Sequence, residues 1–234
     1  MAQEIELKLA VPDAAAAATL IAWLDANAQA VGESHLLNVY LDTPAHELAQ
    51  ARAALRLRRD GARWLQTLKT AGRSEAGLAT RNEWETEVAG EALEPARLPA
   101  EARALLDPLA GRLQPVFRTD FVRRTWRLRC PLTGGGEGQM EAEIEAEIEA
   151  ALDAGEIAAV TQDGTTRTSA RETIHELELE WLSGDASQAA ATLRALGERL
   201  GTVAALTPSD RSKAARGYAL ASQAGQAGSP AGAA

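Results

Sequence analysis

Gln3-Glu4-Ile5-Glu6-Leu7-Lys8-Leu9-Ala10-Val11 sets Glu4, Glu6 and Lys8 on one face and Ile5, Leu7 and Leu9 on the other. A period of two is the signature of a strand. What decides the fold is that the polar face is ionised at every position. Similar faces recur at Arg56/Arg58, Lys69, Arg81/Glu83/Glu85, Arg123 and Glu176/Glu178. In an ordinary half-buried sheet the polar face meets water, and a β-sandwich with solvated outer faces would satisfy that. The opposite faces, however, are strongly apolar, and helices such as 14–30, with a stripe of Leu20, Ile21 and Leu24, also need a surface to bury against. A closed barrel meets both demands, with apolar faces outward beneath helices and charged faces in the lumen.

Carboxylates two positions apart on a strand lie about 7 Å apart. At an effective dielectric near 20 each such pair repels by roughly 2 kcal/mol. Several pairs in one lumen therefore require cations. Neighbouring arginines supply part of the charge, and a divalent metal is the natural remainder. Oxygen ligands without a His/Cys cluster point to Mg²⁺ or Mn²⁺. Such a lumen, with Arg forks and Lys point charges beside it, complements a polyanion that itself binds metal.

Further elements follow from turn and periodicity signals. Strands are expected at 38–42, 54–59, 63–69 (joined to the preceding one by Asp60-Gly61), 81–88 and 116–129. A hairpin tip is expected at Gly134-Gly135-Gly136 with Gly138, then strands at 140–152, 157–161, 165–168 and 174–181, the middle two flanking Asp163-Gly164. Helices are expected at 12–30, within 44–53, at 95–113 with a break at Pro108, and at 187–200 and 208–222. Short connections make the sheet largely antiparallel. The Gly/Ala/Ser/Pro residues from about 222 read as a disordered tail or linker, which leaves 1–221 as one domain.

A formal net charge of -9 argues against broad nucleic-acid binding. Cys130 is the single cysteine, so neither an internal disulfide nor a Cys-based metal site is available. No apolar run approaches the roughly 20 residues of a membrane span, and charge at Glu4, Glu6 and Lys8 is unlike a signal peptide. A cytoplasmic protein is expected. Of the 24 basic residues only Lys8, Lys69 and Lys213 are lysines.

The ordered series Glu4-x-Glu6-x-Lys8, Tyr40-x-Asp42-Thr43-Pro44, Leu55-Arg56-Leu57-Arg58, Thr67-x-Lys69, Arg81-x-Glu83-x-Glu85, Glu176-x-Glu178 and Ser212-Lys213 resembles the CYTH domain family, the triphosphate tunnel metalloenzymes. The likeness is greatest to bacterial inorganic triphosphatases in which a helical CHAD domain follows. The resemblance implies an α+β fold: a closed eight-stranded antiparallel β-barrel, the triphosphate tunnel, with helices packed outside. It implies metal-dependent hydrolysis of triphosphate or short polyphosphate, with Mg²⁺ or Mn²⁺ held by Glu4, Glu6, Glu176 and Glu178. Lys8, Arg56, Arg58, Lys69, Arg81, Arg123 and Lys213 would hold phosphates. Lys8 and Arg56 would stabilise developing charge, and Glu83 and Glu85 would organise water or a second metal. Glu149 and Asp153 would extend the acidic wall. All three lysines fall on positions where the family has a phosphate-binding lysine.

One departure is Phe121, where the family often has a basic residue. Thiamine or nucleoside triphosphatase, adenylate cyclase and a non-catalytic polyphosphate-binding module are the alternatives. The cyclases often carry a His-Phe pair upstream of the opening motif, for which this N-terminus has no room. His35, His46 and His175 have no metal-ligand partner at strand or helix spacing. Trp64, Trp84, Trp126 and Trp181 run out of phase with the charged faces and are expected to pack under helices.

Overall fold

The computed structural model describes residues 2–70, 72–131, 145–160 and 166–227. The expected Gly134–Gly138 hairpin tip, the first part of the 140–152 strand, the Asp163-Gly164 turn and the end of the tail lie outside them.

The opening stretch is strand β1 (Ala2–Ala10), followed by helix α1 (Ala14–Asn27) and strand β2 (Gln29–Asp42). Asp13 caps α1 by accepting a hydrogen bond from Ala16 N–H at 2.8 Å. The helix stops three residues before the expected Ala30. Despite the helix propensity of alanine, Gln29 and Ala30 pair with Arg127 and Trp126, and sheet pairing wins. Short helix α2 (Glu47–Gln50) and strands β3 (Ala53–Asp60), β4 (Arg63–Thr70), β5 (Arg73–Glu75) and β6 (Leu78–Val88) come next. The expected helix at 95–113 breaks into a 3₁₀ turn, α3 (Ala100–Leu106) and a second 3₁₀ turn at Asp107–Leu109, with prolines at 99 and 108 interrupting it. Strand β7 (Gln114–Pro131) precedes β8 (Glu145–Val160) and β9 (Thr166–Ser183). Helix α4 (Ala189–Val203), a two-residue strand β10 (Thr207–Pro208) and helix α5 (Lys213–Ala227) complete the described chain.

β8 and β9 each join two expected strands into one. In β8 the segment Asp153-Ala154-Gly155-Glu156 has the composition of a turn, yet it continues the strand. Gly155 pairs with Phe121, and a Cβ there would stand 2.2 Å from the Asp120 carbonyl oxygen. Glycine serves close packing of two strands here rather than reversal.

The hydrogen-bonded order is β10-β1-β9-β8-β7-β2-β3-β4-β6-β5, and the pairing of β1 with β6 closes the sheet. Eight strands thus form an antiparallel barrel, with β5 and β10 as short additions. Leu7, Leu9, Trp126, Leu177 and Leu179 face outward beneath Leu20 and Leu24 of α1 and Leu193, Leu196 and Leu200 of α4. Leu55 and Leu68 face outward beneath Leu48 of α2 and Ala102 and Leu106 of α3. Each fully buried leucine contributes about 2 kcal/mol, so these layers fix which face of every strand looks inward. Trp84 packs against the second layer and Trp181 against the first.

Helix α5 is placed differently. Ala214, Tyr218 and Ala221 pack against Phe117, Phe121 and Ile174, which have the inward phase of Arg123 and Glu176. A Cβ on Gly217 would lie 2.2 Å from the Phe117 ring, so only glycine lets the helix come this close. Tyr218 donates to Asp42 Oδ2 at 2.9 Å, and its hydroxyl proton is held well above the usual tyrosine range by burial and by that carboxylate. α5 therefore closes one part of the barrel from within. No helix of the described residues is long and apolar enough to cross a membrane.

Candidate active site

The inward faces line a cavity of about 970 Å³. Glu4, Glu6, Lys8, Arg56, Arg58, Lys69, Arg81, Glu83, Glu85, Arg123, Glu178 and Lys213 all border it. Glu176, the remaining residue of the sequence-derived set, is buried behind Lys213, whose Nζ it binds at 2.5 Å.

The opening strand pairs with β9 along one edge and is held on the other by the segments beside β6 and β10. Lys8 N–H donates to the Gly77 carbonyl at 2.9 Å, and Ser209 N–H donates to the Lys8 carbonyl at 3.0 Å. Gly77 has φ +82, and a Cβ there would meet the Lys8 carbonyl oxygen at 2.6 Å. Asp210 holds that turn by accepting from Gly77 N–H at 2.9 Å and Ser74 Oγ at 2.7 Å. These bonds keep the Asp210 carboxyl below its ordinary pKa, with the Gly77 amide the larger cause.

Three groups of ion pairs meet in the lumen. In the first, register places Glu4 opposite Arg81 and Lys69 opposite Glu83. Arg81 spans Glu4 at 2.7 Å and Glu6 at 2.6 Å, while Lys69 joins Glu4 at 2.9 Å to Glu83 at 2.8 Å. Burial works against the Arg81 charge, but Glu6 and Glu4 outweigh it and raise its pKa. For Glu83, burial is likewise outweighed by Lys69 and Arg56, which hold the carboxyl below its usual value.

The second group lies across β7, β8, β9 and the first turns of α5. Arg123 forks onto Asp153 at 2.7 and 2.8 Å and reaches Glu178 at 2.5 Å. Lys213 Nζ stands among Asp153 at 2.6 Å, Glu176 at 2.5 Å and Glu178 at 3.1 Å. Burial opposes the charge on Glu178, yet Lys213 and Arg123 keep it well below the usual carboxylate range. Lys8 links the two groups, 3.7 Å from Glu6 and 3.8 Å from Glu178.

The third group is on β3. Arg56 donates to Thr67 Oγ1 at 3.2 Å and lies 3.5 Å from Glu85 and 3.8 Å from Glu83. Among the described residues Arg58 donates to the side-chain amide oxygen of Asn38, at 2.8 Å. Burial, followed by repulsion from Arg56 and Arg123, lowers the Arg58 pKa to about 10. The guanidinium is thus half-buried with a neutral hydrogen-bond partner, close to two other guanidiniums and near Glu85.

Among the described residues one set of three carboxylates has ligand-like geometry, Asp153, Glu176 and Glu178, with one oxygen from each within 4.8 Å of the others. The donors are all hard oxygens, and a single ammonium already sits among them, so the set suits one compact cation such as Mg²⁺ or Mn²⁺. Glu4 and Glu6 lie outside this set, in their pairs with Lys69 and Arg81. Glu180 of β9 stands opposite Glu6 and Glu149. Its carboxyl is pushed up to about 7 by burial, then by Glu4 and Glu149.

Asp153, given a lesser role from sequence, is the fully buried centre of the second group. Arg216 had no signal apart from lying one helical turn after Lys213. Glu180 had one, continuing the alternation of Glu176 and Glu178. Phe121 is buried, with the Lys213 ammonium 5.1 Å from its ring centroid. His35 pairs with Asp120 on the exterior, His46 precedes α2, and His175 has the outward phase on β9.

A closed antiparallel barrel with a lumen of interleaved carboxylates and cations defines a tunnel protein. A profile of the CYTH domain matches residues 2–218, and the chain belongs to that family. It is 33% identical over 135 residues to an inorganic triphosphatase of Haemophilus influenzae, a match covering 54% of this chain and 36% of that protein. The matched region thus spans about a third of that relative's length. HpAC1 of Hippeastrum, described as an adenylyl cyclase with a dominant triphosphatase activity, superposes with a TM-score of 0.59 at 21% identity. That superposition covers 92% of this chain and 95% of HpAC1. The PH1819 protein of Pyrococcus horikoshii superposes with a TM-score of 0.52 at 16% identity, covering 88% and 94%. Both likenesses show the shared barrel fold.

Proposed function

We propose that the lumen hydrolyses inorganic triphosphate to pyrophosphate and phosphate with the help of Mg²⁺ or Mn²⁺. The observation that carries this reading is the mutual neutralisation of the lumen: Arg81, Arg123, Lys69 and Lys213 each bind two or more carboxylates. A ligand that is only an anion would free the carboxylates to repel one another, and one that is only a cation would free the basic groups. A metal–triphosphate complex replaces both sets of partners.

In this reading Glu4, Glu6, Glu176 and Glu178 would hold the metal ions, Glu176 and Glu178 as one set with Asp153, and Glu4 and Glu6 on the neighbouring strand β1. When bound, the metal neutralises phosphate oxygens and the charge that develops on the leaving pyrophosphate. Lys8, Lys69, Lys213, Arg56, Arg58, Arg81 and Arg123 turn from carboxylates to phosphate oxygens and fix the chain for in-line attack. Lys8 and Arg56, in the interior where their fields are little screened, stabilise developing charge. Glu83 and Glu85, both kept ionised by neighbouring cations, accept hydrogen bonds from the attacking water. A cytoplasmic setting and a single domain over 1–221 belong to the same reading on the composition of the chain, and a CHAD partner domain C-terminal to the tail on the strength of the resemblance.

The test is phosphate release from triphosphate, ATP and thiamine triphosphate with Mg²⁺ or Mn²⁺, then with chelator. Triphosphate is expected to be cleaved fastest, and chelation to stop it. Release from none of the three would overturn the enzyme reading, and a clear preference for ATP would overturn the substrate.

A further inference from the structure

Two cations one helical turn apart on α5 reach the same carboxylate. Glu176 Oε1 accepts from Lys213 Nζ at 2.5 Å, and Glu176 Oε2 accepts from Arg216 Nη1 at 2.9 Å. Their surroundings differ. Lys213 borders the cavity and is shared among three carboxylates, whereas Arg216 is not among the residues that line the cavity. Arg216 is instead tied to β9 at three points: Nε to Glu172 at 2.6 Å, Nη2 to the Thr173 carbonyl, and Nη1 to Glu176. Glu176 itself is only 3% exposed.

We infer that Arg216 is a positioning residue, which locks the Glu176 side chain with one oxygen turned toward Asp153 and Glu178 so that Lys213 can leave without the carboxylate turning away. The inference rests on the proposed metal-dependent reading. A guanidinium suits the task because its planar fork fixes direction as well as charge. A carboxylate held by one mobile lysine alone would rotate once that lysine moved to substrate. With Arg216 on the far oxygen, the near oxygen stays aimed into the group, as outer partners of metal ligands do elsewhere. Glu172 acts one step further out, by anchoring the fork.

The experiment is Mn²⁺ binding to the full chain, followed by the EPR signal of free Mn²⁺, for wild type, R216Q, R216K and E172Q. Metal-free melting curves serve to show that each variant is folded. R216Q is expected to raise the Mn²⁺ Kd about tenfold or more. R216K should fall between wild type and R216Q, because an ammonium restores the charge but not the fork. E172Q, which keeps Arg216 but loosens its anchor, should give a smaller rise in the same direction. Should R216Q not fold, R216K and E172Q decide. A Kd within about twofold of wild type in both folded variants overturns the inference, since a positioning partner is worth more than that. A wild type that neither binds Mn²⁺ nor cleaves triphosphate overturns the underlying reading as well. Normal wild-type behaviour with unchanged variants removes the role of Arg216 alone.

Discussion

Replacing Lys213 by Met tests the charge balance of the lumen directly. Methionine retains most of the apolar stem against Phe121, so the change reports chiefly on the ammonium. That ammonium contacts Asp153, Glu176 and Glu178 within 3.1 Å, and two of the three carboxylates are almost fully buried. Without it, Arg123 still serves Asp153 and Glu178, and Arg216 still serves Glu176. Three carboxylates then share Arg123 and Arg216, with Lys8 3.8 Å from Glu178 but divided with Glu6, so about one buried negative charge loses its close partner. Breaking a buried pair in this way costs about 3–5 kcal/mol. In a domain of this size 1 kcal/mol moves Tm by about 2–4 °C, so a fall of roughly 10 °C is expected in metal-free buffer.

Adding Mn²⁺ separates this account from simple loss of packing. In wild type the metal must displace an ammonium from the carboxylates, whereas in K213M it fills a place already deficient in positive charge. At a hundred times its Kd a ligand returns about 2.7 kcal/mol, enough to restore most of the deficit in the variant. Scanning calorimetry with chelator and then with a Mn²⁺ series measures both quantities. Triphosphate KM should nonetheless rise, because the variant would lack the phosphate contact proposed for Lys213. A metal-free Tm within about 2 °C of wild type, or equal Mn²⁺ shifts in the two proteins, would refute the reasoning.

G217A sets a helix-propensity gain of about 1 kcal/mol against overpacking of typically 1–3 kcal/mol. Three atoms of the Phe117 ring lie within 2.6 Å of the new Cβ, and that ring is stacked on Tyr40 at 4.3 Å, so overpacking should win and urea unfolding should show net destabilisation. A more stable G217A would mean that α5 does not sit in the barrel as described. E6Q should lower kcat for triphosphate by at least about a hundredfold, the upper end of what losing an outer metal partner costs, with an unchanged far-UV circular dichroism spectrum; activity within a few-fold of wild type would remove Glu6 from the metal wall. D210A should destabilise most near neutral pH. The folded-state pKa of Asp210 is depressed, so its stabilisation is present above the unfolded value and is lost as pH falls through the folded one. Urea midpoints at pH 7 and pH 3 should show the gap closing, and a constant gap would mean that the carboxylate charge plays no part in holding the Gly77 turn.

The lumen was legible in the sequence because a strand repeats every two residues. Once Leu7 and Leu9 must lie beneath helices, Glu4, Glu6 and Lys8 can only point inward, and the same parity assigns Arg56, Lys69, Glu83 and Glu178. Where local composition and pairing disagree, local reading fails. Asp153-Ala154-Gly155-Glu156 has turn composition, but its glycine answers to the backbone of β7, and that partner lies more than thirty residues away. In the second group the sequence pointed to Arg123, Glu176, Glu178 and Lys213 and gave Asp153 a lesser place, but it gave no sign of Arg216. Asp153 and Glu176 stand opposite one another by the register of β8 and β9, whereas Arg216 reaches Glu176 only because α5 docks inside the barrel, and no spacing along the chain encodes that docking.

The lysines carry the same physics one step further. The chain holds only three, and each borders the cavity. Lys69 bridges Glu4 and Glu83, Lys8 lies between Glu6 and Glu178, and Lys213 stands among three carboxylates. An ammonium directs its donors around a point and can occupy the middle of such a group, whereas a guanidinium is planar and approaches from one side, as Arg123 does to Asp153. A compact, exchangeable charge among carboxylates is also the place in which a small divalent cation fits. In a chain otherwise committed to arginine, lysine at these three positions is therefore what the proposed exchange of the lumen's own cations for a metal and a triphosphate would require.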